Sequence, residues 1–548
     1  MYWTRETCSV GDVIQVPIQN RKVWAVVAHV ASVHEVKEYI KSQSFVIKKI
    51  DTLTKTDTFS REFILAVLET SRYFVVPFGE VFSELIPKKV LENIEAVTLE
   101  PGNKPVSRPT LSNASYIQKP TSDRIAYIQK LQQEKTTFVF SPTKSHNAFL
   151  KQHNVSHTCM PIDAYKLDTA PTDTACVVEL ASSDYYRHIR KGFDFRFFIR
   201  DFCARKHIEL IYMDTVLLET ENRKSKNPIA KNPELHLISL SVSGKAKTKT
   251  KQNLIKKQTF FSPELISLLK HCQKNKESIL LYVVRKGFSH QTICADCGTT
   301  VTCPICSKPL RLDASKNFVC DSCHTQETSN RACANCGSWN LIPFGVSTEH
   351  VAEQLKDILD IPIHIIDSSH HTKSTARKKI KEQYGVYIGT ELLLTQSYET
   401  IYTYGAIVSL ETLLALPDTL AELKAIQVIT TLMDRVSSNI LIQTRSEDAP
   451  IWKALEAKDW SVATEHIKTQ LEQTDLPPYT TSIHVEGREK DIDLVEKQIE
   501  RYGTNKIRIQ NKIYITFTRG IWPKHPLQGY LQALPSHIHI EVDKTDFV

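Results

Sequence analysis

Four Cys-x-x-Cys pairs stand in a row in this chain: Cys294/Cys297, Cys303/Cys306, Cys320/Cys323 and Cys333/Cys336. Two residues between thiolates let a tight turn aim both sulfurs at one ion. Two such pairs complete a tetrahedral four-thiolate zinc site. Gly298 and Gly337 follow the outer pairs, where a residue without a side chain lets backbone amides approach the sulfurs. Eight thiols in four pairs therefore predict two zinc ions, although spacing alone leaves open which pairs join. A site closed by four cysteines keeps no open coordination position, so both ions are expected to be structural. The competing reading, a disulfide framework, belongs to secreted chains. The first thirty residues show no basic segment followed by an apolar run, so a cytoplasmic chain is expected. The other five cysteines, Cys8, Cys159, Cys176, Cys203 and Cys272, are scattered and read as buried thiols.

The chain around this cluster is too long, at 548 residues, for one core, and several domains are expected. Apolar residues at 41% and charged residues at 24% describe a globular protein. No run reaches the roughly 18 uncharged apolar residues of a membrane span, so no membrane partner is expected. A net charge of +8 permits a polyanion partner without requiring one.

Local patterns outline the parts. Val13–Ile18 and Val23–Ala28 are β-rich runs around a polar turn, which predicts a hairpin. Phe63, Ile64, Val67 and Leu68 give a helical period over Arg61 to Tyr73. Prolines and small polar residues between Glu100 and Ser115 read as a linker. Beyond it, helices alternate with short apolar strands at Thr137–Phe140, Ala175–Val178 and Leu210–Met213, the pattern of a parallel α/β sheet. Residues 222–257 carry ten lysines and arginines and read as a solvated basic linker. A second α/β pattern starts at Ser278–Val284, passes through the cysteine cluster and continues through Gly385–Gly389. Helix and strand signals then alternate to Ile538–Val542.

These residues resemble a family. Arg285-Lys286-Gly287-Phe288, the four cysteine pairs at these spacings and the exit Cys336-Gly337-Ser338 are similar to primosomal protein N′, the PriA replication-restart helicases. The likeness continues through Ile388-Gly389-Thr390-Glu391, Leu416-Pro417-Asp418 and Leu476-Pro477-Pro478-Tyr479. Upstream it includes Val10–Pro17, Tyr73–Glu80 and Asp214–Thr220. The resemblance implies an α/β multidomain protein with two RecA-like lobes of the superfamily 2 helicase type. To these it adds a β-rich N-terminal DNA-binding domain, an inserted zinc-binding module and an α+β C-terminal domain. The expected bounds are 1–104 for the N-terminal domain, 113–221 for lobe 1, 222–257 for the linker, 258–448 for lobe 2 with the zinc module at 290–341, and 449–548 for the C-terminal domain. It also implies nested zinc sites. Cys294, Cys297, Cys333 and Cys336 would hold one ion, and Cys303, Cys306, Cys320 and Cys323 the other.

The chain departs from the family where ATP would be handled. A phosphate loop needs glycines that let amides cradle phosphates, with a lysine and a hydroxyl beside them. The sequence has no glycine between Gly102 and Gly192, and the loop position reads Tyr116-Ile117-Gln118-Lys119-Pro120-Thr121-Ser122-Asp123. Where the family carries an acidic pair, Glu179 stands alone and Leu180 replaces the catalytic carboxylate. Where two late arginines are expected, Thr431 and Asp434 stand and only Arg435 remains, out of register. Three losses in one chemistry imply a chain without ATPase activity, with no catalytic or nucleotide-binding residues to assign.

Nucleic-acid binding is the function left to expect. The segment Tyr185 to Phe198 lies where the family holds an aromatic-rich loop that senses single strands. Aromatics there would stack on bases and arginines would meet phosphates. Tyr185, Tyr186, Arg187 and Arg190 are the candidate contacts, with Gly389 and Thr390 from the second lobe. The competing reading makes Phe193, Phe195, Phe197 and Phe198 the start of a buried helix. The expectation is a zinc-containing DNA-binding protein of replication restart, cytoplasmic and associated with the nucleoid. Its partners would be single-stranded or forked DNA, the single-stranded DNA-binding protein and other primosome components. The alternatives are an active ATP-dependent 3′–5′ helicase with an atypical nucleotide site, and a zinc-stabilised interaction scaffold without DNA binding.

Overall fold

The computed structural model describes residues 2–18, 21–33, 47–50, 55–57, 59–92, 114–180, 182–187, 192–218, 228–230, 233–240, 261–284, 291–305, 308–312, 317–320, 325–327, 331–367, 375–376, 380, 384–396, 400–415, 420–474, 477–518 and 520–543. The chain divides into two compact units, Met1–Asp214 with Leu471–Val548, and Thr215–Gln470. The N-terminal segment, the first α/β segment and the tail thus share one unit, where separate domains were expected. The helix Pro450–Ala457 and most of Ser461–Gln473 fall in the second unit. Among the described residues no helix is long and apolar enough to cross a membrane.

The first unit is built on a parallel sheet. Its strands run in the order Ser115–Gln118, Glu209–Asp214, Thr174–Val178, Thr137–Phe140 and Thr158–Cys159. Thr137–Phe140 and Thr174–Val178 are buried along their whole length, as central parallel strands covered by helices must be. All strands point the same way, so the loops that follow Gln118, Phe140, Val178 and Asp214 gather along one edge, the carboxyl edge. Open α/β sheets use this edge for ligands.

A second, aromatic core joins the N-terminal segment to this sheet. Ser60 caps the helix Arg61–Phe74 by accepting from the Phe63 amide, and its own amide donates to Asp168 at 2.7 Å. Phe63 packs edge-on against Phe198 and Phe202 of the helix Phe195–Lys206, with ring centroids 5.4 and 5.5 Å apart. Burying such rings stabilises by roughly 1.5–3 kcal/mol each. The hairpin Asp12–Ile18/Arg21–Val26 forms as its sequence predicts. The tail folds as an antiparallel sheet in the order Asn505–Ile509, Lys512–Thr518, Thr480–Glu486 and His539–Val542.

The second unit carries a six-stranded parallel sheet. Its order is Glu234–Ser239, Asn439–Thr444, Tyr404–Ile407, Ser278–Tyr282, Gly385–Gly389 and Ile363–Ile366. The expectation of a basic linker over 222–257 is corrected in part. Glu234–Ser239 is an edge strand of this sheet, pairing residue for residue with Asn439–Thr444. Its run Leu235, Leu237, Ile238 is the strand signal that the surrounding lysines obscured. The flanking residues 219–227 and 241–260 lie outside the described ones. Between the strands Ser278–Tyr282 and Ile363–Ile366 sits the cysteine module, entered by Gln291–Cys294 and left by the antiparallel Leu341–Phe344.

Candidate metal centre and the carboxyl edge of the first sheet

The pairing of Gln291–Cys294 with Leu341–Phe344 sets Cys294 opposite Leu341 and brings the first and last cysteine pairs together. The sulfurs of Cys294, Cys297, Cys333 and Cys336 lie within 4.8 Å of one another. Cys294 and Cys336 are 3.5 Å apart, as are Cys297 and Cys333. A zinc–sulfur bond of about 2.3 Å places the corners of a tetrahedron about 3.8 Å apart. The donor set and its spacing therefore fit one tetrahedral metal ion.

The backbone explains why these cysteines converge. In all four pairs the amide of the first cysteine donates to the carbonyl five residues on. The bonds are Cys294 to Thr299 at 2.9 Å, Cys303 to Lys308 at 2.7 Å, Cys320 to Thr325 at 2.9 Å and Cys333 to Ser338 at 2.8 Å. In the outer pairs the glycine that follows closes the turn, Gly298 to Cys294 and Gly337 to Cys333, both at 2.8 Å. Both glycines sit at left-handed φ, 77° and 73°, which a side chain rarely tolerates. Burial raises the thiol pKa of Cys294, Cys333 and Cys336. Burial opposes ionisation of Cys297 as well, but hydrogen bonding at Thr299 and to its sulfur neighbours outweighs it and lowers this thiol to about 7. The Cys297 thiol donates to Thr299 Oγ1 at 3.3 Å, while Asn335 Nδ2 donates to the same oxygen at 2.9 Å. In a thiolate the Thr299 hydroxyl is then oriented to donate back.

Cys303 and Cys320 of the inner pairs are buried with Val301, Leu310 and Phe318. Their partners Cys306 and Cys323 lie outside the described residues.

The carboxyl edge of the first sheet holds a different cluster. Arg124, one turn into the helix Thr121–Glu134, is 3% exposed. Its guanidinium donates to Glu179 Oε1 at 2.9 Å, to Asp214 Oδ1 at 3.4 Å and to Thr121 Oγ1 at 2.6 Å. Glu179 follows the strand Thr174–Val178 and Asp214 ends the adjacent strand Glu209–Asp214, so pairing of these two strands brings the carboxylates together. His146 Nε2, from the helix Lys144–Gln152, stands 3.9 Å from the same Glu179 oxygen. Glu179 adopts φ 54°, a left-handed conformation costly for a residue with a side chain. Lys119 turns away, its ammonium 5.7 Å from the centre of the Tyr127 ring. The sequence reading missed Arg124, Asp214 and His146, because only the strand order makes neighbours of them.

Two of the expected DNA contacts, Tyr185 and Tyr186, are buried. Tyr185 is 0% exposed, and its hydroxyl lies 2.8 Å from the Phe140 carbonyl and 2.7 Å from that of Val178. Tyr186 is 4% exposed; a side chain at Gly192 would reach within 2.2 Å of its ring. Neither tyrosine offers a face for a base. Of the four phenylalanines in the competing reading, Phe195, Phe197 and Phe198 begin the buried helix Phe195–Lys206, while Phe193 is buried in the short strand Phe193–Asp194. Arg196 of that helix is buried against Asp194, with Nε 2.9 Å from Oδ1. Arg187 falls in the short strand Tyr186–Arg187, and Arg190 lies outside the described residues. Gly389 and Thr390 are buried too. A Cβ at Gly389 would lie 2.6 Å from the Ile366 carbonyl and the Leu393 side chain, so close packing requires this glycine. Arg435 is likewise buried.

Two parallel sheets covered by helices and a cluster of four cysteines that could hold one metal ion describe a mixed α/β protein with an inserted cysteine module. No family model matches the chain. In sequence it is PriA-like. It is 27% identical over 255 residues to replication restart protein PriA of Haemophilus influenzae, covering 44% of this chain and 34% of that protein. Against PriA of Bacillus subtilis the identity is 23% over 234 residues, 40% of this chain and 29% of that one. Against PriA of Synechocystis it is 21% over 324 residues, 52% and 39%. Each match thus spans well under half the length of the relative. Two solved structures, T4 UvsW and the DUF1998 helicase MrfA bound to DNA and AMPPNP, align at 10% and 8% identity, over 81% and 88% of this chain and 84% and 66% of theirs. Their TM-scores of 0.18 and 0.25 are too low to bear on the fold.

Proposed function

We propose that this chain is a zinc-stabilised DNA-binding protein of replication restart that acts without hydrolysing ATP. Its sequence similarity to the PriA proteins is the observation that carries the reading. The four gathered cysteines support a structural zinc ion, since a closed thiolate site stabilises a fold and activates no water. The shared turn of all four cysteine pairs supports a second ion held by Cys303, Cys306, Cys320 and Cys323.

The loss of ATP chemistry rests on residues. Between the strand Ser115–Gln118 and the helix Thr121–Glu134 only Lys119 and Pro120 intervene. Proline has no amide to donate, and a two-residue connection without glycine cannot wrap a phosphate. Leu180 offers no base to a water. Phosphate contacts fall to Arg187 and Arg190, and the partners are single-stranded or forked DNA with other restart proteins. A titration of the full chain with forked and single-stranded DNA at two salt concentrations tests the reading. Affinity that falls steeply with salt supports it, and absence of binding at low salt overturns it in favour of a protein scaffold.

A further inference from the structure

A superfamily 2 helicase lobe implies a nucleotide with its magnesium ion at the carboxyl edge of the first sheet, and the residues there do not fit them. Magnesium needs near-octahedral oxygen ligands at about 2.1 Å, most of them carboxylate, hydroxyl, phosphate or water. Among the described residues, Glu179, Asp214 and the Thr121 hydroxyl offer oxygens there, and one guanidinium already stands among them, donating to Glu179 Oε1, Asp214 Oδ1 and Thr121 Oγ1 at 2.9, 3.4 and 2.6 Å.

We propose that Arg124 is a resident cation: its guanidinium takes the position between Glu179 and Asp214 that a divalent metal ion would need, and so closes this edge to metal and nucleotide. The chemistry is that of charge balance. Two carboxylates drawn to adjacent strand ends, with Arg124 and His146 buried around them, require a positive charge within reach. A metal-dependent lobe receives it from an ion that comes and goes. Here it is covalently attached, one helical turn beyond Thr121, and five fixed N–H donors match two carboxylates better than an ammonium would. Glu179 shows what holds the arrangement. Its left-handed backbone persists because Arg124 anchors its carboxylate on the cluster. Tyr185 seals the same edge further along, its hydroxyl on the carbonyls that end two strands.

This inference deepens the reading of a chain without ATP chemistry and rests on it, yet the two fail separately. Manganese binding to the zinc-loaded full chain, read by electron paramagnetic resonance, tests the inference directly. Arg124→Ala should bind one manganese ion at least about tenfold tighter than the native chain does, with or without ATP. Glu179→Gln on that background should abolish the gain. Native binding as tight as in Arg124→Ala, or a folded Arg124→Ala with no gain, overturns the proposal. Arg124→Met, which keeps the apolar stem, serves if the alanine variant does not fold. If neither folds, the native melting temperature decides: it should not move with magnesium and ATP, and a rise of several degrees overturns the proposal. The DNA titration is independent of every one of these results, so loss of DNA binding would sink the wider function while leaving Arg124 in its role.

Discussion

The hydroxyl of Tyr73 donates to Asp543 Oδ2 at 2.6 Å, joining residues 470 positions apart. Tyr73 lies in the last turn of the helix Arg61–Phe74, and Asp543 follows the last strand of the tail sheet and accepts from the Ser482 amide at 2.7 Å. Trp522 Nε1 adds a bond of 2.7 Å to the Tyr73 carbonyl. Burial, and then the Asp543 carboxylate, push the Tyr73 pKa up, so the phenol stays protonated and remains a donor. Tyr73→Phe should destabilise the first unit by about 1–3 kcal/mol, because the buried carboxylate loses a donor it cannot replace. Urea denaturation checks this, and an unchanged midpoint would count against a stabilising Tyr73–Asp543 bond.

Metal content is the second expectation. The native chain should carry about two zinc equivalents, and Cys333→Ser and Cys320→Ser should each lose about one. Atomic absorption on protein purified without added zinc gives the count. A single equivalent in the native chain would remove the inner site.

The third concerns Tyr185, whose hydroxyl reaches the carbonyls of Phe140 and Val178. Tyr185→Phe should lower stability by about 1 kcal/mol and leave DNA affinity untouched. Arg187→Ala with Arg190→Ala should do the opposite. Its melting temperature should hold while the salt slope of single-strand binding flattens by up to about 0.7 per lost phosphate contact. Melting and binding measured on the same proteins separate the two effects.

The fourth is a pH dependence. The His466 pKa is raised above 6.5, first by its hydrogen bond with Glu422, whose Oε2 is 3.0 Å from Nδ1; burial, Lys308 and Lys453 act against the rise. A histidine whose folded pKa exceeds its unfolded value stabilises fully below the unfolded value of about 6.5. That contribution fades as pH rises through the folded pKa. The native chain should therefore lose stability relative to His466→Gln as pH climbs from 6.5. Because the imidazole is 40% exposed, the effect should be small. Parallel melting curves for the two proteins would expose it.

What could be read from the sequence followed from periodicity and spacing. The strands Thr137–Phe140 and Gly385–Gly389 and the helix Arg61–Phe74 stand where their apolar patterns put them. Each outer cysteine pair forms its turn from local signals and the glycine that follows, but the two pairs meet only through the strands Gln291–Cys294 and Leu341–Phe344, which spacing alone left open. The phenylalanines of 193–198 carried two meanings, because an aromatic run suits a stacking loop and a packed helix alike. Distant partners decide between them: Phe63 against Phe198, Tyr73 and Phe74 against Phe197, and Phe140 against Phe195. Arg124 was hidden for a related reason. A basic residue on a helix usually faces water, and its partners Glu179 and Asp214 become neighbours only once strand order is known.

The strands Gln291–Cys294 and Leu341–Phe344 form a narrow neck through which the chain leaves for the cysteine module and returns. Entry and exit lie side by side, so the chain on either side of the neck is spaced as it would be around an ordinary hairpin. Unravelling beyond the neck need not pull on the core of the six-stranded sheet, and the module is placed to melt as a unit of its own. A protease acting on metal-stripped protein should nick first inside residues 295–340 and leave the two flanking pieces associated. The neck makes the module a detachable cassette, one whose length and contents could change between related chains while the host sheet kept its register.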